Sequence, residues 1–217
     1  MLSDGSLARP RETEKRRELA QRAAVVLEEK GLTIPTEQLA RELGINRTTL
    51  LYHFPNYSEI IQTVLGELLL EQAAFVELRV SEHQHPIDRL YARVRATHAF
   101  HHGNERRLLF LTQAVAVTGG AGVTEILRGA ADLFAPSRLA LAAGIERGIE
   151  EGTVAPCDAK AVVALARAVI DGLTIQRVAE GASLEPVHRF LWEHVLEPLK
   201  RSSGAKSTKS TKANRGR

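Results

Sequence analysis

An all-α fold is expected of this 217-residue chain. Ala, Leu, Glu and Arg dominate it, and all four form helices well. Period-two alternation, Asn-Gly hairpin signals and β-branched runs are missing, which leaves no pattern for a sheet. Hydrophobic residues make up 44%, enough apolar side chain to build a core.

The helices follow in order. Arg11 to Lys30 carries Leu19, Ala23, Val26 and Leu27 at helical spacing, and Gly31 stops it. In "TIPTEQLARELG", Pro35 suits a first turn, Leu39, Ala40 and Leu43 form the apolar face, and Gly44 ends the helix. Asn46 caps the next one, Arg47 to His53, which Pro55 closes. Asn56 with Glu59 resembles a capping box and opens a long helix to about Val80. Pro86 begins a helix reaching His102, and a segment from Glu105 to Val117 precedes "TGGAG", Thr118 to Gly122, expected to be flexible. A longer helical region with an interruption at Pro136 runs towards Gly148 and Gly152. Asp158 to Glu180 and Leu184 to Lys200 make the last two helices. Internal repeats are absent, against a solenoid.

Charge divides unevenly. The 29 Lys and Arg against 26 Asp and Glu give net +3, and the pI is 9.2. Seven of the basic residues lie between Lys200 and Arg217, without an acid among them, so the body is net −4. Basicity therefore belongs to the tail, whose sequence has almost nothing apolar to bury and is expected to be disordered. No apolar run approaches the roughly 20 residues that cross a bilayer, and "MLSDGSLARP" does not read as a signal peptide, so no membrane partner is expected. The single Cys157 excludes an intrachain disulfide, lacks a Cys-His-Asn context and fits a reducing, cytoplasmic compartment.

Thr36 to Phe54 packs two short helices around the turn "LGIN", a helix-turn-helix arrangement. Ala40 is small where the helices cross, Gly44 permits a left-handed backbone, and Ile45 and Leu50 supply apolar contacts that set the angle. The outer face of the second helix would carry Arg47, Thr48, Thr49, Tyr52 and His53, with no acid on that helix. Such side chains suit base edges and phosphates, over a length a major groove admits. A helical hairpin with a polar outer face reads the same way by pattern alone.

"EKRRELAQRAAVVLEEKG" followed by "TEQLARELGINRTTLLYHFPNYSEI" resembles the DNA-binding domain of the TetR family of bacterial transcriptional regulators. The resemblance covers Arg11 to Leu65; the later chain matches in layout. It implies an N-terminal three-helix helix-turn-helix domain, then a helical ligand-binding and dimerisation domain. The expected boundaries are a disordered 1–10, a DNA-binding unit 11–56, a regulatory domain 57–200 and a disordered basic tail 201–217. By this resemblance Arg47, Thr48, Thr49 and Tyr52 contact bases and backbone, His53 meets the backbone, and Thr36 meets a phosphate. Two positions depart from the family pattern: Leu51 stands where an aromatic residue is common, and Tyr57 where a lysine is common. Tyr57 keeps a hydroxyl for phosphate but loses charge-assisted attraction.

The implied dimer would use the last two helices as a four-helix bundle. Val162, Leu165, Val169, Leu173 and Gln176 form one stripe, beside the small Ala161, Ala168 and Gly172. Phe190, Leu191, Trp192 and Val195 add the second face, although intrachain packing would also use such residues. His98, His101, His102, Phe110, Gln113, Phe134 and Arg138 fall on helices that would surround a cavity.

His98 and His102 have the spacing of a shared metal, and His83 and His85 form a second cluster, but no Cys or acid completes either set. No metal or other cofactor is expected. The leading reading is a ligand-responsive dimeric repressor whose partners are a palindromic double-stranded DNA operator, a second copy and an unknown small-molecule effector. A constitutive nucleoid-associated or architectural DNA-binding protein is the alternative on the same fold, and the basic tail fits it. A helical enzyme or metal sensor is the alternative from another class. The lack of a P-loop, Gly-x-Gly-x-x-Gly, nucleophile elbow or His-Glu-x-x-His weighs against an enzyme.

Overall fold

A computed structural model describes residues 10–104 and 119–201. The first helix, α1, is Pro10–Lys30; α2 is Thr36–Glu42 and α3 is Arg47–His53. They pack as a small unit around Leu19, Ala23, Leu27, Leu39, Leu43, Leu50 and Phe54, all fully buried. The turns are set locally. Gly31 closes α1 at φ +82°, and its N–H donates to the Leu27 carbonyl at 2.9 Å.

Helix α4, Tyr57–Ser81, leaves this unit without a break. Asn56 caps it, its Oδ1 accepting from the Glu59 N–H at 3.0 Å. Ile60, Ile61, Val64 and Leu65 belong to the same core as α1 to α3. About three turns later Val76 and Val80 pack with Ala92 and Ala96 of α5, Pro86–His101. The first core therefore extends past residue 56 into α4.

The remaining described helices are α6 (Gly119–Glu150), α7 (Ala159–Glu180) and α8 (Glu185–Leu191). Ile87, Leu90 and Val94 of α5 meet Ile145 of α6, Val163 and Ala166 of α7, and Leu191 and Leu196 in a second core. Asp158 caps α7, its Oδ1 accepting from the Ala161 N–H at 3.0 Å, and Gly181 ends it at φ +65°. Among the described residues no helix is long and apolar enough to cross a membrane.

Three expectations are corrected. Gly119 to Gly122 lie inside α6 rather than in a flexible link. Pro136 sits within α6 without ending it, exposed on the outer side, while Leu141, Ala142 and Ile145 bury the inner face. Burial of that face outweighs the roughly 3 kcal/mol cost of a helix-interior proline. The last helix does not run to Lys200: α8 widens into a π turn over Trp192–Leu196, then tightens into a 3-10 turn over Glu197–Leu199. Pro198 has no N–H to donate, so the α-helical hydrogen-bond ladder cannot continue through it. The segments Glu105 to Val117, 1–9 and 202–217 lie outside the described residues.

The chain beyond α8 is clasped to the α6–α7 turn. Ala155 N–H donates to Leu199 O at 2.7 Å, Arg201 N–H to Thr153 O at 2.8 Å, and Lys200 Nζ meets Asp88 of α5 at 2.7 Å. The close approach falls at Gly148, where a Cβ would stand 2.6 Å from Val154 Cγ2 and 3.2 Å from Pro86 Cγ. Gly66, on α4, has nothing within 4 Å of such a Cβ. Replacing Gly66 by Ala should raise stability by about 0.5–1 kcal/mol through helix propensity. Replacing Gly148 by Ala should lower it by about 1–3 kcal/mol through overpacking. Urea unfolding of both variants checks the opposite signs.

Candidate nucleic-acid interface and interior cavities

The turn between α2 and α3 is fixed by backbone and side-chain bonds together. Gly44, at φ +68°, donates its N–H to Arg41 O, and Ile45 N–H donates to Ala40 O, each at 3.0 Å. This pair is a Schellman closure, with Ile45 packed on the core as its apolar contact. Arg22 of α1 donates to the carbonyl of Leu43, satisfying an acceptor the helix leaves open. Asn46 then caps α3, accepting from the Thr49 N–H at 2.7 Å. Leu50 is fully buried and plugs α3 onto the unit from beneath.

That anchoring decides which side chains look outwards. Arg47, Thr48 and Tyr52 are exposed, Tyr52 at 70%, while Thr49 and His53 are half-buried. Leu51 is half-buried too. Thr36 opens α2, at an end that no side chain caps. The neighbouring acids are already engaged: Lys30 holds Glu42, Arg41 lies 3.8 Å from Glu37, and Arg16 donates to Glu59 at 3.1 Å. Arg47 forms no ion pair among the described residues, so its charge faces outwards. Tyr57 behaves differently from the expectation of a phosphate donor. Its hydroxyl is buried without a hydrogen-bond partner among the described residues, and burial pushes its pKa up to about 12. His53 Nδ1 is buried likewise, with the ring edge-on to Tyr52 at 5.2 Å.

The residues expected around one cavity divide between two. His98, His101 and His102 line a cavity of about 430 Å³ between α5, α7 and α8, with Arg95, Arg177 and His188. Phe134 and Arg138 line another of about 330 Å³ between α4, α5, α6 and α7. Phe110 and Gln113 lie outside the described residues. Among the described residues no group of three or more His, Cys, Asp or Glu side chains is placed to hold a metal ion. His102 is exposed, so its spacing from His98 does not bring the rings to a common buried point. Cys157 is half-buried; burial, then Asp158, push its thiol up and make it a poorer nucleophile.

His98 and His188, 90 residues apart, form the buried wall of the larger cavity. His98 Nε2 lies 3.1 Å from the Ile170 carbonyl, which only accepts, so that nitrogen carries the proton. In the neutral ring Nδ1 then accepts, and His188 Nε2 donates to it at 2.8 Å. Burial lowers both pKa values, His188 to about 4, with His98 and Arg95 adding to the effect there and Glu185 opposing it. No sequence spacing announces this pair. His101 Nε2 donates to Gln72 Oε1 of α4 at 3.2 Å, tying α5 to the long helix.

On the last helices, Leu173 and Leu191 are already buried within the chain. Val162, Val169, Trp192 and Val195 pack half-buried against the second core, Trp192 with Tyr91 at 4.8 Å. Leu165, Gln176 and Phe190 remain exposed, Phe190 at 61%, and so do Ile175 and Val187, which the stripe reading missed. Gly172 stands open beside them, with nothing within 4 Å of a Cβ.

No protein-family model and no curated protein matches the sequence. Solved structures match in fold. A TetR transcription regulator from Haloarcula marismortui has a TM-score of 0.72 at 19% identity, over 87% of this chain and 100% of that one. A transcriptional regulator from Saccharomonospora viridis, in complex with choline, has a TM-score of 0.66 at 20% identity, over 85% and 98%. The structure of AibR in complex with isovaleryl coenzyme A and operator DNA has a TM-score of 0.55 at 14% identity, over 82% and 95%.

Two outcomes follow from the buried polar groups. Tyr57→Phe should leave stability unchanged or raise it by about 1 kcal/mol, since it removes an unpartnered buried hydroxyl. Chemical denaturation checks this, and a loss of stability would assign that hydroxyl a hidden partner. The histidine pair makes the fold acid-sensitive. The unfolded chain takes up protons from about pH 6.5 downwards, whereas folded His188 takes its own only near 4. Its contribution is therefore full above about pH 6.5 and is lost as pH falls from there towards 4. Melting temperatures across that window should fall in the wild type, and His188→Asn should remove the His188 share of the slope.

Proposed function

We propose that this chain, which has the fold of the TetR-family transcriptional regulators, is a DNA-binding regulator that acts as a ligand-responsive dimeric repressor. The outward face of α3 carries the reading: Arg47, without an ion pair among the described residues, stands with Thr48, Thr49 and Tyr52 on a helix locked at both ends. A fixed angle is what base reading in a major groove requires. In this reading Arg47 reads a base edge, Thr48, Thr49 and Tyr52 contact bases and backbone, and His53 and Thr36 lie against phosphates. Tyr57 would need a new rotamer to join them. The DNA-binding unit is 11–56, its core completed by the first turns of α4, and the regulatory part is 57–200, acting in the cytoplasm.

The homodimer is proposed through the apolar side chains left exposed on α7 and α8, Leu165, Ile175, Val187 and Phe190, with Gln176 beside them. A two-fold dimer presents two copies of α3 and so favours a palindromic operator, with half-sites about 34–36 Å apart or a multiple of that. Leu69, Gln72 and Val76 of α4 line the smaller cavity, and the same helix is built into the DNA-binding core. A ligand that prefers a shifted α4 must change the spacing of the two α3 helices, and DNA must weaken that ligand by the same factor. The AibR structure, which holds both a small molecule and operator DNA, supports this reading of a common fold.

The test begins with genome-wide selection of bound fragments. One palindromic site beside the gene supports a repressor, whereas many dispersed sites support an architectural protein. Arg47→Ala should cost about 1–3 kcal/mol of operator affinity, concentrated at one base position, with helicity and dimerisation intact. An equal loss on every sequence would make Arg47 a phosphate contact, and no loss would remove α3 as the reading element.

A further inference from the structure

The cavity between α5, α7 and α8 has a wall of two histidines whose protons are assigned by a backbone carbonyl. We propose that this cavity is a second ligand site, taking an uncharged molecule that donates an O–H or N–H hydrogen bond to His188 Nδ1. The site is separate from the α4-lined cavity and needs no DNA.

The proton order runs outwards from Ile170. Its carbonyl can only accept, at 3.1 Å, so His98 Nε2 carries a proton and the neutral ring keeps a lone pair at Nδ1. His188 Nε2 meets that lone pair at 2.8 Å and donates to it. The other tautomer of His188 would set two lone pairs face to face at that distance. His188 Nδ1, the last position of the relay, is therefore an acceptor without a proton.

His188 is only 5% exposed, it lines the cavity, and its Nδ1 bonds to no described residue. Unlike His53 Nδ1, this atom is not sealed among packed side chains, so it opens on the cavity. A ligand that fills the space without a donor strips water from the acceptor and leaves it unmet. A site of this kind rejects the analogue that lacks the hydrogen. Burial, then His98 and Arg95, lower the His188 pKa to about 4, with Glu185 opposing, so the ring is neutral at pH 7 and its surroundings disfavour added positive charge. An ammonium donor is therefore poorly placed here, and a carboxylate at neutral pH brings no hydrogen. The volume, about 430 Å³, lies within the roughly 300–1,000 Å³ typical of ligand sites, and the hydroxyls of Thr174 and Ser183 add groups that either donate or accept.

Long-range proton–nitrogen NMR of the full chain, labelled at histidine and free of DNA, reads the ring nitrogens directly. At pH 7 His98 and His188 should each show a protonated Nε2 and a bare Nδ1. Benzyl alcohol and benzamide are then titrated beside benzyl methyl ether and N,N-dimethylbenzamide, the same bodies without the donor. Either donor or both should bind and shift His188 Nδ1, the comparison telling O–H from N–H. The methylated counterparts should bind at least about tenfold more weakly. His188→Phe should reduce the donors to the affinity of their methylated counterparts. The site is ruled out if His188 carries its proton on Nδ1, if neither donor binds, if the methylated compounds bind as well, or if folded His188→Phe keeps the preference. Should that variant not fold, the wild-type spectra and the four-ligand comparison decide alone. Operator binding is measured separately: a chain that binds its operator but neither donor loses this site and keeps the regulator reading, and the converse result does the reverse.

Discussion

One face of α4 is buried in two cores, and the architecture depends on that helix staying unbroken between them. Ile60, Ile61, Val64 and Leu65 lie under α1 to α3, while Val76 and Val80 lie against α5. Full burial of such side chains stabilises by about 1.5–3 kcal/mol each, far more than the exposed ion pairs nearby. Arg16–Glu59 and Arg17–Glu67, at 3.1 and 2.6 Å, therefore orient α1 on α4 rather than hold it there. Because α4 is packed into both cores, it cannot bend without opening one of them.

The interior beside α4 is polar in two distinct ways. The His98–His188 wall is neutral and hydrogen-bonded in one tautomeric arrangement, which makes it a rigid partition. On the other side of α7, burial and then the neighbouring Arg138 lower the Arg93 pKa, with Glu77 opposing, so that guanidinium sits in surroundings that disfavour its charge. The two are joined through Ile170, whose carbonyl accepts a hydrogen bond from His98 Nε2 and which also lines the smaller cavity.

How far the sequence disclosed this depends on whether the determinant is local. Gly44, Asn46, Asn56 and Asp158 act on their own turns, and each appears where its chemistry places a helix end. The outward face of α3 was legible because burial of Leu50 fixes the phase of a seven-residue helix. Pro136 was misleading, since the face α6 buries lies elsewhere on the helix and overrides it. The π turn at Trp192 and the burial of the Tyr57 hydroxyl follow from packing, not from neighbours in sequence. The histidine pair and the division into two cavities join residues 90 or more positions apart, beyond any helical period.

The way α1 grips the turn has a consequence for modularity. Arg22 holds the Leu43 carbonyl, Lys30 holds Glu42, and Ile60 to Leu65 close the floor beneath Leu50 and Phe54. The helix-turn-helix is thus not a two-helix cassette that another scaffold could borrow. Lifted out as 36–54, it would lose the cation that closes α2 and the floor that phases α3. The smallest transplantable piece runs from α1 to at least Leu65, and a graft should be spliced inside α4, at a heptad-compatible junction, rather than at the loop before Asn56.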